Sequence, residues 1–280
     1  MVVKGGGDVD LHVIDAGDPE GQPLVFIHGY CQSTYAWRKQ SESELARDFR
    51  FVLLDLRGHG ESAKPDVPEA YTDSQLWADD VKAVLETLDL HSAILIGWSY
   101  AGYVICDYLR HYGTERLAAL AFVSAVTLKG GEKARAFNGP QFVELFPAMF
   151  SSDPDIFRPA MKKFIDLTVA DPAVLSEDER AQLETDVELV PAVAREAMQR
   201  RKLDNEDVLK QLSIPVTCTH GAADAIVLPA ASEYIAHMIF RSRLSIYDGV
   251  GHSPFLEDPV RFDRELRELA ARSIMSGMGR

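Results

Sequence analysis

A short apolar segment that leads directly into a serine constrains the fold of this chain more than any other feature. Residues 94–96 (ILI) are typical of a buried strand, and residues 97–102 (GWSYAG) follow without a break. A serine at the apex of such a strand-to-helix turn is held clear of its neighbours, and it needs small residues on either side because strand and helix approach closely there. The pattern is G-x-S-x-A-G rather than the strict G-x-S-x-G, so the rest of the chain has to supply partners for Ser99.

Strands and helices alternate on both sides of this turn. Apolar runs that predict strands occur at 11–14, 24–27, 51–55, 120–123, 214–219 and 244–247. Several of them are continuously apolar, which is typical of strands buried on both faces. Amphipathic helices are predicted from about Thr72 to Leu88 and from about Pro259 to Ile274. This alternation predicts an α/β fold, with a mostly parallel sheet covered by helices on both faces.

The alternation is interrupted between residues 127 and 205. This segment has many helix formers and little β-branched strand signal, and it contains prolines at 140, 147, 154, 159, 172 and 191. We therefore expect several helices broken by turns. The predicted organisation is a core formed by residues 1–126 and 206–280, with residues 127–205 inserted as a helical cap.

Charge and composition argue against several classes of function. The 280 residues include 29 Lys and Arg against 43 Asp and Glu, a formal net charge of −14, whereas a nucleic-acid-binding face needs clustered basic residues. We recognise no secretory signal, and the longest near-apolar run, 117–126, is about half the length needed to span a bilayer. Three isolated cysteines favour reduced thiols and lack metal-ligand spacing. We expect a cytoplasmic monomer or homodimer with no metal, cofactor, nucleic-acid or membrane partner.

Four segments taken together resemble the α/β-hydrolase superfamily. They are residues 28–30 (HGY) after a strand, 55–62 (DLRGHGES), the serine turn, and 251–259 (GHSPFLEDP). The resemblance extends over essentially the whole chain and implies the order nucleophile, acid, histidine. Haloalkane dehalogenases and epoxide hydrolases of this superfamily have aspartate at the turn, so the serine found here disfavours those two chemistries.

The resemblance implies a catalytic triad of Ser99, Asp224 and His252. A serine hydroxyl needs a base within hydrogen-bond reach, and His252 follows a glycine-bearing loop able to deliver its ring. Asp224 follows the predicted strand 214–219, where a carboxylate can hold the imidazole tautomer. The segment after the strand at 120–123 reads SAVT and offers no carboxylate for this role. The non-catalytic alternatives are a Ser99 that caps the following helix and an Asp224 that caps a turn.

The resemblance also implies an oxyanion hole formed by the backbone N–H groups of Tyr30 and Tyr100. Cys31 and Trp98 are expected in the pocket wall or just behind it. The cap lies over the serine end of the sheet, and its apolar side chains predict a roof that excludes water and favours acyl or ring-containing substrates. The cap residues chosen as candidates for substrate contact are Phe142 and Phe146.

Three further histidines are interpreted as structural. His28 and His59 belong to the family motifs and resemble loop-fixing residues, and His220 lies at a strand end near Asp224. The run 57–62 contains glycines and an arginine, but it lacks the G-x-x-x-x-G-K-[ST] pattern of a phosphate loop. We therefore interpret it as a structural turn beside the site.

These predictions favour a cofactor-free serine hydrolase that cleaves a small to medium, mostly apolar carboxylic ester or lactone through an acyl-enzyme. The same triad serves two alternatives: carbon–carbon bond hydrolysis of ring-fission diones, as in the similar meta-cleavage hydrolases, and perhydrolysis, as in cofactor-free haloperoxidase-like members. A third alternative, from a different class, is a slow-turnover receptor that senses a small ligand in its lidded pocket. Fold-level likeness does not choose among them, because function depends on the site.

Overall fold

An eight-stranded sheet forms the centre of the molecule. The computed structural model describes residues 1–277. The strands, of which all but β7 and β8 belong to this sheet, are β1 (Val2–Lys4), β2 (Asp10–Gly17), β3 (Gln22–Ile27), β4 (Phe49–Leu54), β5 (Ala93–Trp98), β6 (Leu117–Val123), β7 (Leu128–Lys129), β8 (Leu203–Asp204), β9 (Val216–Gly221) and β10 (Arg243–Tyr247). Their order is β1-β2-β4-β3-β5-β6-β9-β10. Within this eight-stranded sheet only the pairs β1–β2 and β2–β4 are antiparallel, so the predicted mostly parallel sheet is confirmed.

Helices connect the strands and cover the sheet. They are α1 (Arg38–Ser41), α2 (Leu45–Asp48), α3 (Glu69–Thr72), α4 (Ser74–Thr87), α5 (Ala101–Tyr112), α6 (Gly131–Arg135), α7 (Pro140–Met149), α8 (Pro154–Leu167), α9 (Glu177–Glu188), α10 (Ala192–Arg200), α11 (Glu206–Lys210), α12 (Ala230–Met238), α13 (Pro254–Glu257) and α14 (Pro259–Gly277). Strand β5 is buried along its whole length, as its continuous apolar sequence predicts. Within residues 1–277, none of these helices combines the length and the apolarity needed to cross a bilayer.

The strand register brings four chain reversals to one edge of the sheet. Ile27 of β3 pairs with Gly97 of β5, and Trp98 pairs with Val123 of β6. Farther along the sheet, Gly221 of β9 pairs with Tyr247 of β10. The carboxyl ends of these parallel strands therefore lie side by side, which is where open α/β sheets bind their ligands. The loops that contain Tyr30, Ser99, Asp224 and His252 all leave the sheet at this edge.

The segment between β6 and α11 contains a small antiparallel ribbon and five α-helices. Leu128 pairs with Asp204, and Lys129 pairs with Leu203, so β7 and β8 join the two ends of the segment. Helices α6 to α10 lie between these two strands in the sequence. We propose to treat residues 127–205 as a cap on this basis.

The expectation that prolines break the cap helices is only partly correct. Pro140 and Pro154 occupy first-turn positions, where a missing N–H costs no helical hydrogen bond. Pro147 and Pro159, in contrast, lie inside α7 and α8. These helices continue through a proline because burial of their apolar faces outweighs the loss of one backbone hydrogen bond, which costs about 3 kcal/mol in an isolated helix.

Candidate active site

Ser99 lies at a strained turn between β5 and α5. Its φ is +56°, a left-handed conformation that non-glycine residues rarely adopt and that costs on the order of 1–3 kcal/mol. The surrounding backbone over-determines this conformation, since the Ser99 N–H donates to Val123 O (2.9 Å) and its carbonyl accepts from Gly102 N (3.0 Å) and Val126 N (3.2 Å). The side chain is half-buried and lines a cavity. The strained turn therefore holds Ser99 where its side chain lines the cavity.

The small residues around Ser99 are required to different degrees. A β-carbon on Gly102 would lie 2.4 Å from Val126 O, and one on Gly97 would lie 2.5 Å from the Cδ1 of Ile105. The Ala101 methyl group fits because it faces Gly97, which has no side chain. A β-carbon built on Gly97 would lie only 3.3 Å from the Ala101 Cβ. The glycine that the backbone needs after the nucleophile is therefore Gly102, and the departure at Ala101 is accommodated.

His252 and Asp224 form a buried pair. The His252 Nδ1–H donates to Asp224 Oδ2 over 2.6 Å, while Asp224 Oδ1 accepts from the N–H groups of Ile226 (2.8 Å) and Val227 (3.0 Å). Burial by itself would raise the pKa of Asp224, but the charge of His252 and the hydrogen bonds from His220 and His252 outweigh it and lower the pKa to about 2. The carboxylate is therefore ionised and fixes the imidazole with Nε2 directed away from it.

His220 is a second imidazole on the same carboxylate. Its Nε2 lies 3.0 Å from Asp224 Oδ2 and 2.8 Å from Val227 O, while its Nδ1 lies 2.7 Å from Ser232 Oγ. Because both neighbours of Nε2 are acceptors, Nε2 carries the proton and Nδ1 accepts from the Ser232 hydroxyl. His220 therefore holds Asp224 in place, in keeping with a structural role.

The nucleophile turn and the histidine loop are joined directly. The Trp98 indole Nε1–H donates to the backbone carbonyl of His252 (2.8 Å), and the two rings stack at a tilt with centroids 5.4 Å apart. Within residues 1–277, neither the Ser99 hydroxyl nor His252 Nε2 has a hydrogen-bond partner. Catalytic contacts of this kind are often open without substrate and tighten only when it binds.

Two backbone N–H groups beside Ser99 have no protein acceptor. Among the described residues, neither Tyr30 N nor Tyr100 N donates to another group of the chain. Gly29 lets the first of them approach the nucleophile, since a β-carbon at this position would lie 3.1 Å from the Ser99 Cβ. Tyr100 follows Ser99 directly. Two unpaired donors at a reactive serine are what an oxyanion requires.

His28 and His59 hold the loop that contains Tyr30. The Nε2 of His28 accepts from Leu56 N (3.0 Å), and the Nε2 of His59 accepts from Cys31 N (3.2 Å). Burial, followed by the nearby His28, lowers the pKa of His59 to about 3, so its ring remains neutral and able to accept. The amide of Cys31 is thereby fixed immediately after Tyr30.

A cavity of about 300 Å³ opens onto Ser99. Its lining includes Phe142 and Phe146, both predicted, together with other apolar residues, Val126, Leu128, Ala134, Phe164, Ile226 and Val227. Cys31 and Trp98 do not line it. Cys31 is fully buried, and the Trp98 ring packs against Phe255 and His252 behind the wall.

The prediction of an apolar roof is wrong in one respect, because basic residues also line the cavity. They are Lys129, Arg135, Arg200, Arg201 and Lys202. The sequence contains a signal that could have indicated them, the run Arg200-Arg201-Lys202 near the end of the cap in an otherwise acidic chain. Lys129 carries no comparable signal, since only the ribbon pairing brings it to the same place.

Glu257 is a further residue whose role the sequence did not reveal. Its two carboxylate oxygens accept from Gly251 N, next to His252, and from Ala170 N of the cap, each over 2.8 Å. The contact is close, since a β-carbon on Gly251 would lie 2.5 Å from Ala170 N. Glu257 therefore ties the histidine loop to the cap.

Comparisons with known proteins show the family to which this chain belongs. The sequence model of the α/β hydrolase fold matches residues 22–259. The AB hydrolase superfamily protein YisY of Bacillus subtilis is 30% identical over 266 residues, 91% of this chain and 93% of YisY. The crystal structure of the esterase RhEst1 from Rhodococcus is 33% identical with a TM-score of 0.87, covering 97% of this chain and 98% of RhEst1. The non-heme chloroperoxidase CPO-A1 of Kitasatospora aureofaciens is 26% identical over 263 residues, 89% of this chain and 92% of CPO-A1. The superfamily resemblance carried by the four sequence segments is thus confirmed, and the chain belongs to the α/β-hydrolase fold family.

Proposed function

We propose that this protein is a serine hydrolase that cleaves small to medium carboxylic esters or lactones through an acyl-enzyme. The observation that carries the proposal is the strained Ser99, which lines a cavity and is flanked by the unused N–H donors of Tyr30 and Tyr100. The His252–Asp224 pair supplies a base held in one tautomer. A nucleophile, a base and an oxyanion site are the three parts that acyl transfer needs.

In the acylation half-reaction, Ser99 Oγ attacks the ester carbonyl carbon while His252 Nε2 takes the hydroxyl proton. The carbonyl oxygen becomes an oxyanion and accepts hydrogen bonds from the Tyr30 and Tyr100 N–H groups. Collapse of this intermediate breaks the bond to the alcohol oxygen, which receives the proton from His252. Asp224 remains ionised, because its pKa is lowered, and stabilises the imidazolium that forms.

In the deacylation half-reaction, water replaces the alcohol. His252 takes a proton from the water as its oxygen attacks the acyl carbon, and the same two N–H groups hold the second oxyanion. Collapse releases the carboxylic acid, and the proton returns to Ser99 Oγ. The apolar part of the cavity wall, including Phe142, Phe146 and Phe164, suits the hydrocarbon part of such a substrate.

The similarity to RhEst1 supports ester hydrolysis, since that protein is an esterase and is 33% identical over nearly the whole chain. We test the proposal with a fluorophosphonate probe and with para-nitrophenyl esters of graded acyl length. The probe is expected to attach to Ser99, as located by peptide mass spectrometry. Ser99→Ala is expected to lower kcat by on the order of 10⁶-fold, the scale seen when a triad nucleophile is removed.

Ser124→Ala is the matched control. Ser124 also has a positive φ at a strand end, but it is fully buried and does not line the cavity. Its substitution is expected to leave ester turnover within about threefold of the original. Full turnover by Ser99→Ala, or a probe adduct at another residue, contradicts the proposal.

Perhydrolysis is a second candidate, favoured by the similarity to the chloroperoxidase CPO-A1. Hydrogen peroxide would replace water in deacylation, giving a peroxy acid. The ester panel is therefore repeated with hydrogen peroxide, which competes with water for the acyl-enzyme. Formation of the peroxy acid at a rate comparable to that of the carboxylic acid would support perhydrolysis. Ring-fission diones are included, and turnover of diones alone would replace the ester assignment by carbon–carbon bond hydrolysis.

A further inference from the structure

The cavity that contains Ser99 has a charge opposite to that of the whole protein. The chain has a formal net charge of −14, yet the cavity lining includes five basic residues and no carboxylate. Arg200 is paired with Glu196, and Arg201 with Asp107. The other three, Lys129, Arg135 and Lys202, have no carboxylate within salt-bridge distance among the described residues. A concave wall of one sign attracts ligands of the opposite sign.

Lys129 is the basic residue whose environment is most unusual. It is half-buried, and its ammonium donates to the amide oxygen of Gln199 and lies 5.7 Å from the centre of the Tyr103 ring. Neither partner is an anion. Burial, followed by the charge of Arg201, lowers the pKa of Lys129 to about 8. An ammonium group withdrawn from water without a counter-ion is costly, and a bound anion would remove that cost.

Arg201 lines the same cavity and contains an unused donor. The residue is only 4% exposed, and its Nη2 donates to both oxygens of Asp107 (2.8 and 2.6 Å). Its Nε–H, in contrast, is buried without a hydrogen-bond partner. Arg201 stands two residues before Leu203, which pairs with Lys129 across the β7–β8 ribbon. The ribbon therefore brings the two cations close enough for the charge of Arg201 to act on Lys129.

We propose that Lys129 and Arg201, with Gln199 beside them, form a carboxylate subsite, so that the ester cleaved at Ser99 carries a free carboxylate at its far end. This inference rests on the ester hydrolysis proposed above and names its substrate class. A half-ester of a short dicarboxylic acid suits both the apolar and the basic part of the cavity wall. Its methylene chain would contact the apolar side chains, and its carboxylate would bind Lys129 and Arg201.

The size of the cavity fits a short chain. Tyr103, four residues after Ser99, lies in the first turn of α5 and lines the cavity with Ser99. Its hydroxyl donates to Leu128 O (2.9 Å), which fixes the ribbon against this helix, and its ring contacts Lys129. Ser99, Tyr103 and Lys129 therefore line one cavity. Its volume of about 300 Å³ is at the lower end for small-molecule pockets and suits a chain of a few methylene groups.

The test compares ethyl hexanoate with monoethyl adipate, in which a carboxylate replaces the terminal methyl group. The protein as it stands is expected to have a higher kcat/KM for monoethyl adipate by about tenfold or more, the scale of one charge-assisted hydrogen bond. Lys129→Met is expected to lower the adipate-to-hexanoate ratio by about tenfold, and Lys129→Arg to keep it. Lys133→Met is the matched control, since Lys133 is a nearby exposed lysine that does not line the cavity.

A binding measurement separates this inference from ester hydrolysis itself. Titration calorimetry on Ser99→Ala, which needs no turnover, is expected to show monoethyl adipate binding about tenfold more tightly than ethyl hexanoate. Equal affinities, or a preference that Lys129→Met leaves intact, overturn the carboxylate subsite. Turnover of both esters with no preference overturns the subsite alone, whereas tight binding of monoethyl adipate without any turnover supports the subsite and contradicts the hydrolysis.

The pH dependence of the preference for monoethyl adipate distinguishes a lysine that binds the substrate from a lysine with only a structural role. Lys129 is charged below its pKa, so the adipate-to-hexanoate ratio is expected to fall as the pH rises through about 8. The groups that face it are Tyr103, whose pKa burial raises, and the lining arginines and Lys202. Lys129→Arg is expected to have a flat ratio over this range, because guanidinium does not lose its proton.

Discussion

The Trp98 indole donates a hydrogen bond to the backbone carbonyl of His252, so the residue before Ser99 supports the loop that contains His252. Trp98→Phe keeps a ring against His252 and Phe255 but leaves this buried carbonyl without its donor. A net hydrogen-bond contribution of about 1 kcal/mol corresponds to about fivefold. We therefore expect kcat for para-nitrophenyl butyrate to fall about fivefold, with little change in KM, in steady-state assays. An unchanged kcat with a lowered Tm would show that the bond serves stability only.

Asp224→Asn tests the pair that orients the base. The amide keeps the shape but offers a donor in place of a charged acceptor, so the imidazole is held in the wrong tautomer and the imidazolium is not stabilised. We expect kcat to fall by about 10⁴-fold while the circular dichroism spectrum is retained. A loss of less than tenfold would assign the acid role to another group.

The same substitution predicts a change in the pH dependence of stability. The folded-state pKa of Asp224, about 2, lies below its ordinary value of 3.8. Its ionised form therefore stabilises the fold above pH 4, and this contribution is lost as the pH falls from about 4 to about 2. The difference in Tm between the original protein and Asp224→Asn is expected to shrink over this interval in a series of thermal melts. A constant difference would contradict the lowered pKa.

Ala101→Gly and Gly102→Ala form a matched pair at the nucleophile turn. A methyl group on Gly102 meets the Val126 carbonyl at 2.4 Å, so Gly102→Ala is expected to lower the free energy of unfolding by about 1–3 kcal/mol in urea titrations. Ala101→Gly only adds backbone freedom, which costs about 0.5–1 kcal/mol. We expect its kcat to change less than tenfold. A larger loss would mean that the Ala101 methyl group positions the Tyr100 N–H.

Glu257→Ala tests the contact between the cap and the histidine loop. Two backbone N–H groups, of Gly251 and Ala170, lose their shared acceptor. Hydrogen bonds to a charged group are worth about 1.5–3 kcal/mol each, so we expect kcat to fall about tenfold or more as the His252 loop loosens. Faster cleavage of the cap by trypsin is the accompanying measurement. Normal kcat together with normal protection would leave Glu257 without a positioning role.

Much of the fold was predictable because its signals are local. Apolar runs predicted β3 to β6, β9 and β10, and an amphipathic pattern predicted the closing α14, since burial on one or two faces leaves a pattern in a few consecutive residues. The short β7 and β8 were not predictable, because a two-residue strand has no period. The sequence also did not predict that α7 and α8 continue through Pro147 and Pro159. The packing that keeps a helix intact around a proline is contributed by residues distant in the sequence.

The candidate site likewise has features that the local sequence predicts and features that depend on tertiary contacts. The motifs around Ser99 and His252 specify turns that depend on their own small residues, so the sequence by itself determined which side chains are offered and in which order along the chain. What only the tertiary structure decided is how they are held and what else surrounds them: His220 on Asp224, the Trp98 bond to His252, and Lys129 beside Arg201. These contacts join residues that are far apart in the sequence, and the pairing of β7 with β8 exists only once the cap has folded. The preference for a carboxylate-bearing substrate therefore rests on packing rather than on any motif.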